Sequence, residues 1–304
     1  MSNMASAPHL PQSESRAVGW IGVGKMGGPM ARNLLDSGVG LTVVEPDSGN
    51  RAKLAEKGAK TADCARDLRD VQVVFSTLPN DDALMAVVSG ETGLIHGLPR
   101  GALLVEMSTV SPECSERVAQ ILSEAGLRYL RAPLSGSTDL AAKAALTVLA
   151  SGDRAGWDEV LPLIKTFSAR QFFLGEGEEA RYMKLVLNTL VGAFSAVLSE
   201  ALAIGASGGL SRADMMEVIC ESAVASPLFK YKQEAVVNDD YTPAFTVSQM
   251  IKDFTLISDA ARRNDVPLMT TGLILELYRS AANAGMRDED FFALVKWQEK
   301  LSTR

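Results

Sequence analysis

The chain has 304 residues, 47% of them hydrophobic and 22% charged, with a formal net charge of −7, a size and mixture that suit two soluble globular domains. That acidic balance argues against nucleic acid or an acidic membrane surface as a main partner. Three widely separated cysteines (Cys64, Cys114, Cys220) and two histidines (His9, His96) supply no disulfide framework, no His-based metal site and no Ser-His-Asp triad, so a cytoplasmic protein without a metal is expected.

Residues 1–17, MSNMASAPHLPQSESRA, are rich in Ser, Ala and Pro and hold no apolar segment. They read as a flexible N-terminal extension rather than a secretory signal. No stretch of the chain offers the roughly 18 uninterrupted apolar residues that a membrane span asks for. Over 18–179, short β-branched or apolar runs alternate with helical patterns. The strand candidates are VGWIG, LTVVE, QVVFSTL, ALLVEMS, LRYLRA and LTVLAS; helical stretches include 30–37, 48–57, 112–125 and 155–166. Such alternation predicts a Rossmann-type, doubly wound α/β domain with a mostly parallel sheet. From residue 178 the β signal fades into a long alanine-rich apolar helix ending near Gly208–Gly209. Further helical patterns follow at 212–223, 227–237, 247–264, 268–284 and 288–300, with Ser211 and Asp288 as capping residues. The expected organisation is therefore an α/β domain over 18–179 and an all-α domain over 180–304, joined by the long helix.

The first strand runs into Gly22-Val23-Gly24-Lys25-Met26-Gly27, a G-x-G-x-x-G loop that opens a helix. In that setting Gly22 permits the tight turn and Gly24 lets the backbone approach a pyrophosphate. Gly27 allows close strand–helix packing, and the helix N-terminus faces the anion. Glu45 ends the second strand 23 residues after Gly22, where a carboxylate accepts from the adenosine ribose hydroxyls and repels a 2′-phosphate. Glu45 and the following Pro46 favour NAD, with NADP still open because Arg51 and Lys53 are nearby. Within the long helix, RYMKLVLNTL places Lys184 and Asn188 four residues apart on one face of an otherwise apolar segment.

These residues resemble the β-hydroxyacid dehydrogenases, the family that includes 3-hydroxyisobutyrate dehydrogenase, tartronate semialdehyde reductase and glyoxylate/succinic semialdehyde reductases. GVGKMGGPMARNL resembles the family's opening, and FSTLPND its strand-end cofactor loop, with Leu78 and Pro79. VEMSTVSP resembles the second cofactor segment, in which Thr109 contacts the nicotinamide end. APLSGS resembles the substrate loop, where Ser135, Gly136 and Ser137 grip a carboxylate. MKLVLN resembles the K-x-x-x-N helix, and PAFTVSQMIKDF the helical-domain signature. The resemblance, over about 18–300, implies Lys184 as proton shuttle and Asn188 as substrate contact. It also implies Lys252 as a cofactor contact, and Phe245 and Asp253 lining the site. Independently of the family, carbinol–carbonyl interconversion needs a group that takes the hydroxyl proton, and a lysine in an apolar setting can serve. The expected partners are a small carboxylate-bearing substrate and a second copy of the chain, as homodimer or homotetramer.

The substrate segment departs from the family pattern. Arg131 stands where an aspartate is usual, Ser137, Leu140 and Ala144 stand where glycines are usual, and Leu187 replaces a first asparagine beside Asn188. The expected activity is NAD(P)-dependent interconversion of a short β-hydroxy acid and its semialdehyde or keto form. An imine-reductase-like enzyme is the nearest alternative, although such enzymes usually replace the lysine. A nucleotide-binding protein without turnover is the non-enzymatic one.

Overall fold

The computed structural model describes residues 17–302, so the expected N-terminal extension lies, Ala17 excepted, outside the described residues. The chain divides into two compact units, Met1–Lys184 and Leu185–Arg304. In chain order, unit 1 holds β1 (Val18–Ile21), α1 (Gly27–Asp36), β2 (Leu41–Val44), α2 (Ser48–Ala55), β3 (Lys60–Ala62), β4 (Val73–Ser76), α3 (Asp81–Ser89), β5 (Leu103–Glu106) and α4 (Pro112–Glu124). It continues with β6 (Arg128–Arg131), β7 (Leu134–Ser135), α5 (Thr138–Ala142), β8 (Leu146–Gly152), α6 (Arg154–Ile164) and β9 (Ser168–Phe173).

The sheet runs β3-β2-β1-β4-β5-β6-β8-β7, with β9 against β8. The pairs from β3 through β6 are parallel, and antiparallel pairing enters only where β8 meets β6 and β7. Alternation along the strands builds two cores, one per face. Val18, Trp20, Val73, Phe75, Leu103 and Val105 face one side with Phe167. Ile21, Val74 and Leu104 face the other, among Leu84, Val118 and Leu122. Trp20 stacks on Phe75 at 5.1 Å between ring centroids, and Phe167 packs edge-on against both. The strand order reverses at β1, between β2 and β4, which is where ligands bind in open α/β sheets.

Three strands are absent from the sequence expectation for a plain reason. β3 has three residues, none of them buried; β7 has two; β9 lies at an edge with exposed and half-exposed residues. None carries a buried apolar run.

The long helix α7 (Glu179–Ser207) passes the division, with its first residues in unit 1. Unit 2 continues through α8 (Arg212–Glu221), α9 (Pro227–Val237), α10 (Val247–Arg263), α11 (Met269–Ala281) and α12 (Leu294–Ser302) around Met216, Val236, Phe254, Tyr278 and Phe292. Gly192 lets α7 approach α10 closely, because a Cβ there would overlap the Phe254 ring. Two helix ends differ from expectation. α11 gives way to a wider turn over Ala282–Met286 in which Gly285 takes φ +93°. The last helix is preceded by a tight turn, Phe291–Ala293, capped by Asp290 rather than Asp288. α7 is long and apolar enough by composition to cross a membrane. Leu185, Ala196, Leu198 and Leu202 are buried in the unit 2 core, while Val186, Leu190, Val197 and Ile204 stay exposed.

Candidate functional site

The glycine loop is fixed at its start by strand pairing and at its end by packing. Gly22 sits at φ +82°, its N–H donates to the Val44 carbonyl at 3.0 Å, and its carbonyl accepts from Thr77 Oγ1 at 2.5 Å. Trp20 Nε1 donates to that same hydroxyl at 3.1 Å. A Cβ on Gly27 would fall on the Gly22 carbonyl oxygen and Thr77 Oγ1, so only glycine lets α1 begin this close to β1. Gly24 behaves differently: nothing lies within 4 Å of where its Cβ would stand. α1 starts at Gly27 with no side-chain cap, whereas Asp47, Asn80, Ser111, Ser137 and Asp153 cap α2 to α6. An open backbone face beside an uncapped helix start leaves free N–H donors that suit an anion. Lys25 is exposed beside it, Met26 is half-buried and Val23 is buried.

Glu45 is buried at the end of β2. Its Oε2 accepts from the Val23 N–H at 2.7 Å and its Oε1 from the Asp47 N–H at 3.0 Å. It therefore joins the glycine loop to the turn that starts α2, with the Asp47 carboxylate capping that helix by accepting from the Asn50 N–H. Arg51 donates to the Glu45 carbonyl at 3.3 Å. Each carboxylate oxygen keeps a lone pair for a hydroxyl donor.

Leu78 follows β4, and its N–H donates to Ser108 Oγ at 2.7 Å. Pro79 is exposed and Thr109 half-buried, both in the loops at the C-terminal edge of the sheet. Ser108 belongs to a buried polar cluster that sequence reasoning missed. Glu106 Oε1 accepts from the Ser108 N–H at 2.7 Å, and Glu106 Oε2 pairs with Arg181 from the first turn of α7. Burial opposes the Arg181 charge, but the Glu106 carboxylate and Tyr129 more than offset it and hold the guanidinium above its ordinary pKa. The sequence carried a signal: an arginine in an apolar helix and a glutamate ending an apolar strand. Cys114 lies nearby, but burial, with Asp81 and Glu106, pushes its thiol up to about 12, which leaves it unreactive.

Lys184 is half-buried on α7 with Asn188 one turn further on. In unit 2, Asn188 Nδ2 donates to Asp253 Oδ2, and Lys252 Nζ lies 3.1 Å from Asp253 Oδ1. Asp253 is 1% exposed, so it holds Asn188 more than it presents itself. Phe245 is half-buried before α10, its ring edge-on to Phe291.

The departures at Arg131, Ser137, Leu140 and Ala144 each have a structural place. The Arg131 side chain stacks on Tyr129 at 4.6 Å and pairs with Glu178. Ser135 ends β7 opposite Thr147, and Gly136 takes φ +139°. Ser137 caps α5, its hydroxyl accepting from the Leu140 N–H at 3.4 Å. Leu140 lies over Gly136, with Cδ1 3.2 Å from where a Cβ would stand. Ala144, where the family pattern leads one to expect glycine, takes a left-handed backbone at φ +54°. Relief of that strain, about 1–2 kcal/mol, outweighs the added chain entropy of glycine, roughly 0.5–1 kcal/mol. Ala144→Gly is thus expected to raise stability by up to ~1 kcal/mol, read as a higher urea midpoint at unchanged slope.

Residues 17–175 match the family model of the NAD-binding domain of 6-phosphogluconate dehydrogenase, and residues 178–298 that of NAD-binding of NADP-dependent 3-hydroxyisobutyrate dehydrogenase. An uncharacterized oxidoreductase of Bacillus subtilis (strain 168), YfjR, is 33% identical over 279 residues, 91% of this chain and 97% of that protein. The 2-(hydroxymethyl)glutarate dehydrogenase of Eubacterium barkeri is 29% identical over 291 residues, 95% of this chain and 97% of that one. A crystal structure of 3-hydroxyisobutyrate dehydrogenase from Salmonella typhimurium matches with a TM-score of 0.85 at 28% identity, covering 93% of this chain and 99% of that one.

Proposed function

Because the chain belongs to the β-hydroxyacid dehydrogenase family of NAD(P)-binding oxidoreductases, we propose that it interconverts a short β-hydroxy acid and its semialdehyde or keto form, with Lys184 relaying the proton. The observation that carries this reading is the Lys184–Asn188 pair on α7, with Asn188 held from behind by buried Asp253. When bound, the nicotinamide cofactor supplies the hydride acceptor or donor. Gly22, Gly24 and Gly27 with the start of α1 would hold its pyrophosphate, Glu45 its ribose, and Leu78, Pro79, Thr109 and Lys252 further parts.

In the oxidative direction the neutral Lys184 amine takes the substrate O–H proton as the carbonyl forms; in reduction the ammonium returns it. Ser135, Gly136 and Ser137 orient the carboxylate, Asn188 orients the reacting oxygen, and Phe245 lines the pocket. Arg131 and Glu178 neutralise each other, so the arginine does not compete for the carboxylate. Lysine retained at 184 favours this reaction over imine reduction.

Glu45 and Asp47 set two carboxylates at the end of β2, which supports NAD over NADP. The purified chain is to be tested with NADH and NADPH against glyoxylate, succinic semialdehyde, tartronate semialdehyde and methylmalonate semialdehyde. The matching hydroxy acids serve in reverse, and the nicotinamide absorbance band is the readout. Turnover with NADH preferred by roughly tenfold or more, about 1.4 kcal/mol, is the expected result. A preference for NADPH removes the role given to Glu45 and leaves the chemistry. Cofactor binding without turnover across the panel reduces the protein to a nucleotide binder.

A further inference from the structure

Arg181 lies one turn before Lys184 on α7, in the part of that helix that belongs to unit 1, and it is 1% exposed. Its guanidinium reaches four acceptors on different segments. Nε donates to Ser115 Oγ on α4 at 3.2 Å and Nη1 to the Ser108 carbonyl at 2.8 Å, while Nη2 donates to Glu106 Oε2 and to the Tyr129 hydroxyl at 3.0 Å. Glu106 turns its other oxygen to the Ser108 N–H at 2.7 Å, and the Ser108 hydroxyl accepts from the Leu78 N–H at 2.7 Å. One side chain thereby ties the loop after β4, the loop after β5 and the first turn of α7 to the same point. A second clasp starts beside it: Arg131 stacks on the Tyr129 ring and pairs with Glu178, the residue before α7.

We propose that Arg181, through Glu106 and Ser108, is a positioning residue that sets Lys184 in register with the two cofactor loops at Leu78–Pro79 and Thr109. This rests on the reaction proposed above. A guanidinium is suited to the task because its donors diverge in a fixed plane, whereas an ammonium is a compact charge on a flexible stem. Both neutralise Glu106, so Arg181→Lys keeps the charge and removes the geometry.

The test compares wild type, Arg181→Lys and Ser108→Ala. The measurements are kcat, KM, the NADH dissociation constant by fluorescence, and the primary isotope effect with hydride-labelled NADH. For Arg181→Lys, folded by far-UV circular dichroism, kcat is expected to fall about 10- to 100-fold, the effect of small misplacement on reacting groups. The isotope effect should rise and KM change little. Ser108→Ala cuts only the link to Leu78 and is expected to weaken NADH binding roughly 3- to 10-fold with a smaller loss in kcat. A purely structural anchor would leave the isotope effect of both variants at the wild-type value, and that result overturns the proposal.

Turnover by the wild type tests the reaction; the variant-to-wild-type ratios test the positioning. Amide hydrogen exchange covers a wild type that does not turn over, or an Arg181→Lys chain that is less stable. Protection is expected to fall together in Arg181→Lys at Leu78 and Asn80, at residues 107–110 and at residues 181–186. Loss confined to the helix, or to none of the three, overturns the proposal.

Discussion

Replacement of Lys184 by alanine is expected to lower kcat by about 10²- to 10⁴-fold, the range found when a positioned acid–base group is removed, with NADH binding nearly unchanged. Lys184→Arg should be as inactive as the alanine variant. Arginine keeps the positive charge and much of the length, but its guanidinium stays protonated far above neutrality and cannot accept a proton. The pair of variants separates a proton relay from a fixed cation that only attracts the substrate. Steady-state rates in both directions, with NADH titrated by fluorescence, provide the readout. An arginine variant that turns over at a tenth of the wild-type rate or better would remove the relay role and leave an electrostatic one. Asn188 stands on the same face of α7 and is anchored to Asp253; its loss should raise substrate KM and lower kcat by less than the loss of Lys184 does.

The second large effect is expected at the start of the glycine loop. In Gly22→Ala the new methyl would meet the Thr77 carbonyl oxygen and lie 3.4 Å from Leu78 Cδ2, at a backbone φ of +82°. The left-handed conformation costs a non-glycine residue about 1–2 kcal/mol, less about 0.5–1 kcal/mol of chain entropy, and overpacking adds about 1–3 kcal/mol, so unit 1 should lose roughly 1–4 kcal/mol. Movement of Thr77 also releases the Gly22 carbonyl and Trp20 Nε1. NADH binding is expected to weaken by more than about tenfold, or 1.4 kcal/mol. Gly38→Ala isolates the conformational part: Gly38 has φ +88° and nothing within 4 Å of its Cβ position. That variant should lose up to ~1 kcal/mol, the strain less the chain entropy that alanine removes from the unfolded state, and bind NADH normally. Equal urea midpoints for the two variants would show that the Thr77 contact contributes nothing.

Much of unit 1 was legible because its central strands are buried on both faces and read as continuous apolar runs. VGWI, VVF before Ser76 and LLV before Glu106 are such runs. The glycine loop was legible for a related reason, since its three glycines answer local demands of turn, open face and close packing. The edge strands were not: β3 and β7 have only three and two residues and β9 is largely exposed, so none leaves a buried hydrophobic pattern. The departures at Ser137, Leu140 and Ala144 could be noticed in the sequence but not interpreted there. Their places as helix cap, lid over Gly136 and strained left-handed residue depend on the local path of the chain.

The sequence by itself determined the alternation that makes a Rossmann-type domain, the change to helices after residue 178, and the shared face of Lys184 and Asn188. Each follows from a short-range period of two or 3.6 residues. Tertiary structure alone decided which charges meet. Asp253 reaches Asn188 across 65 positions, and Glu106 reaches Arg181 across 75. Nothing in the spacing of such residues singles out their partners. A buried charge must find a counter-charge and hydrogen bonds wherever packing brings them, and packing is a property of the folded chain rather than of any segment.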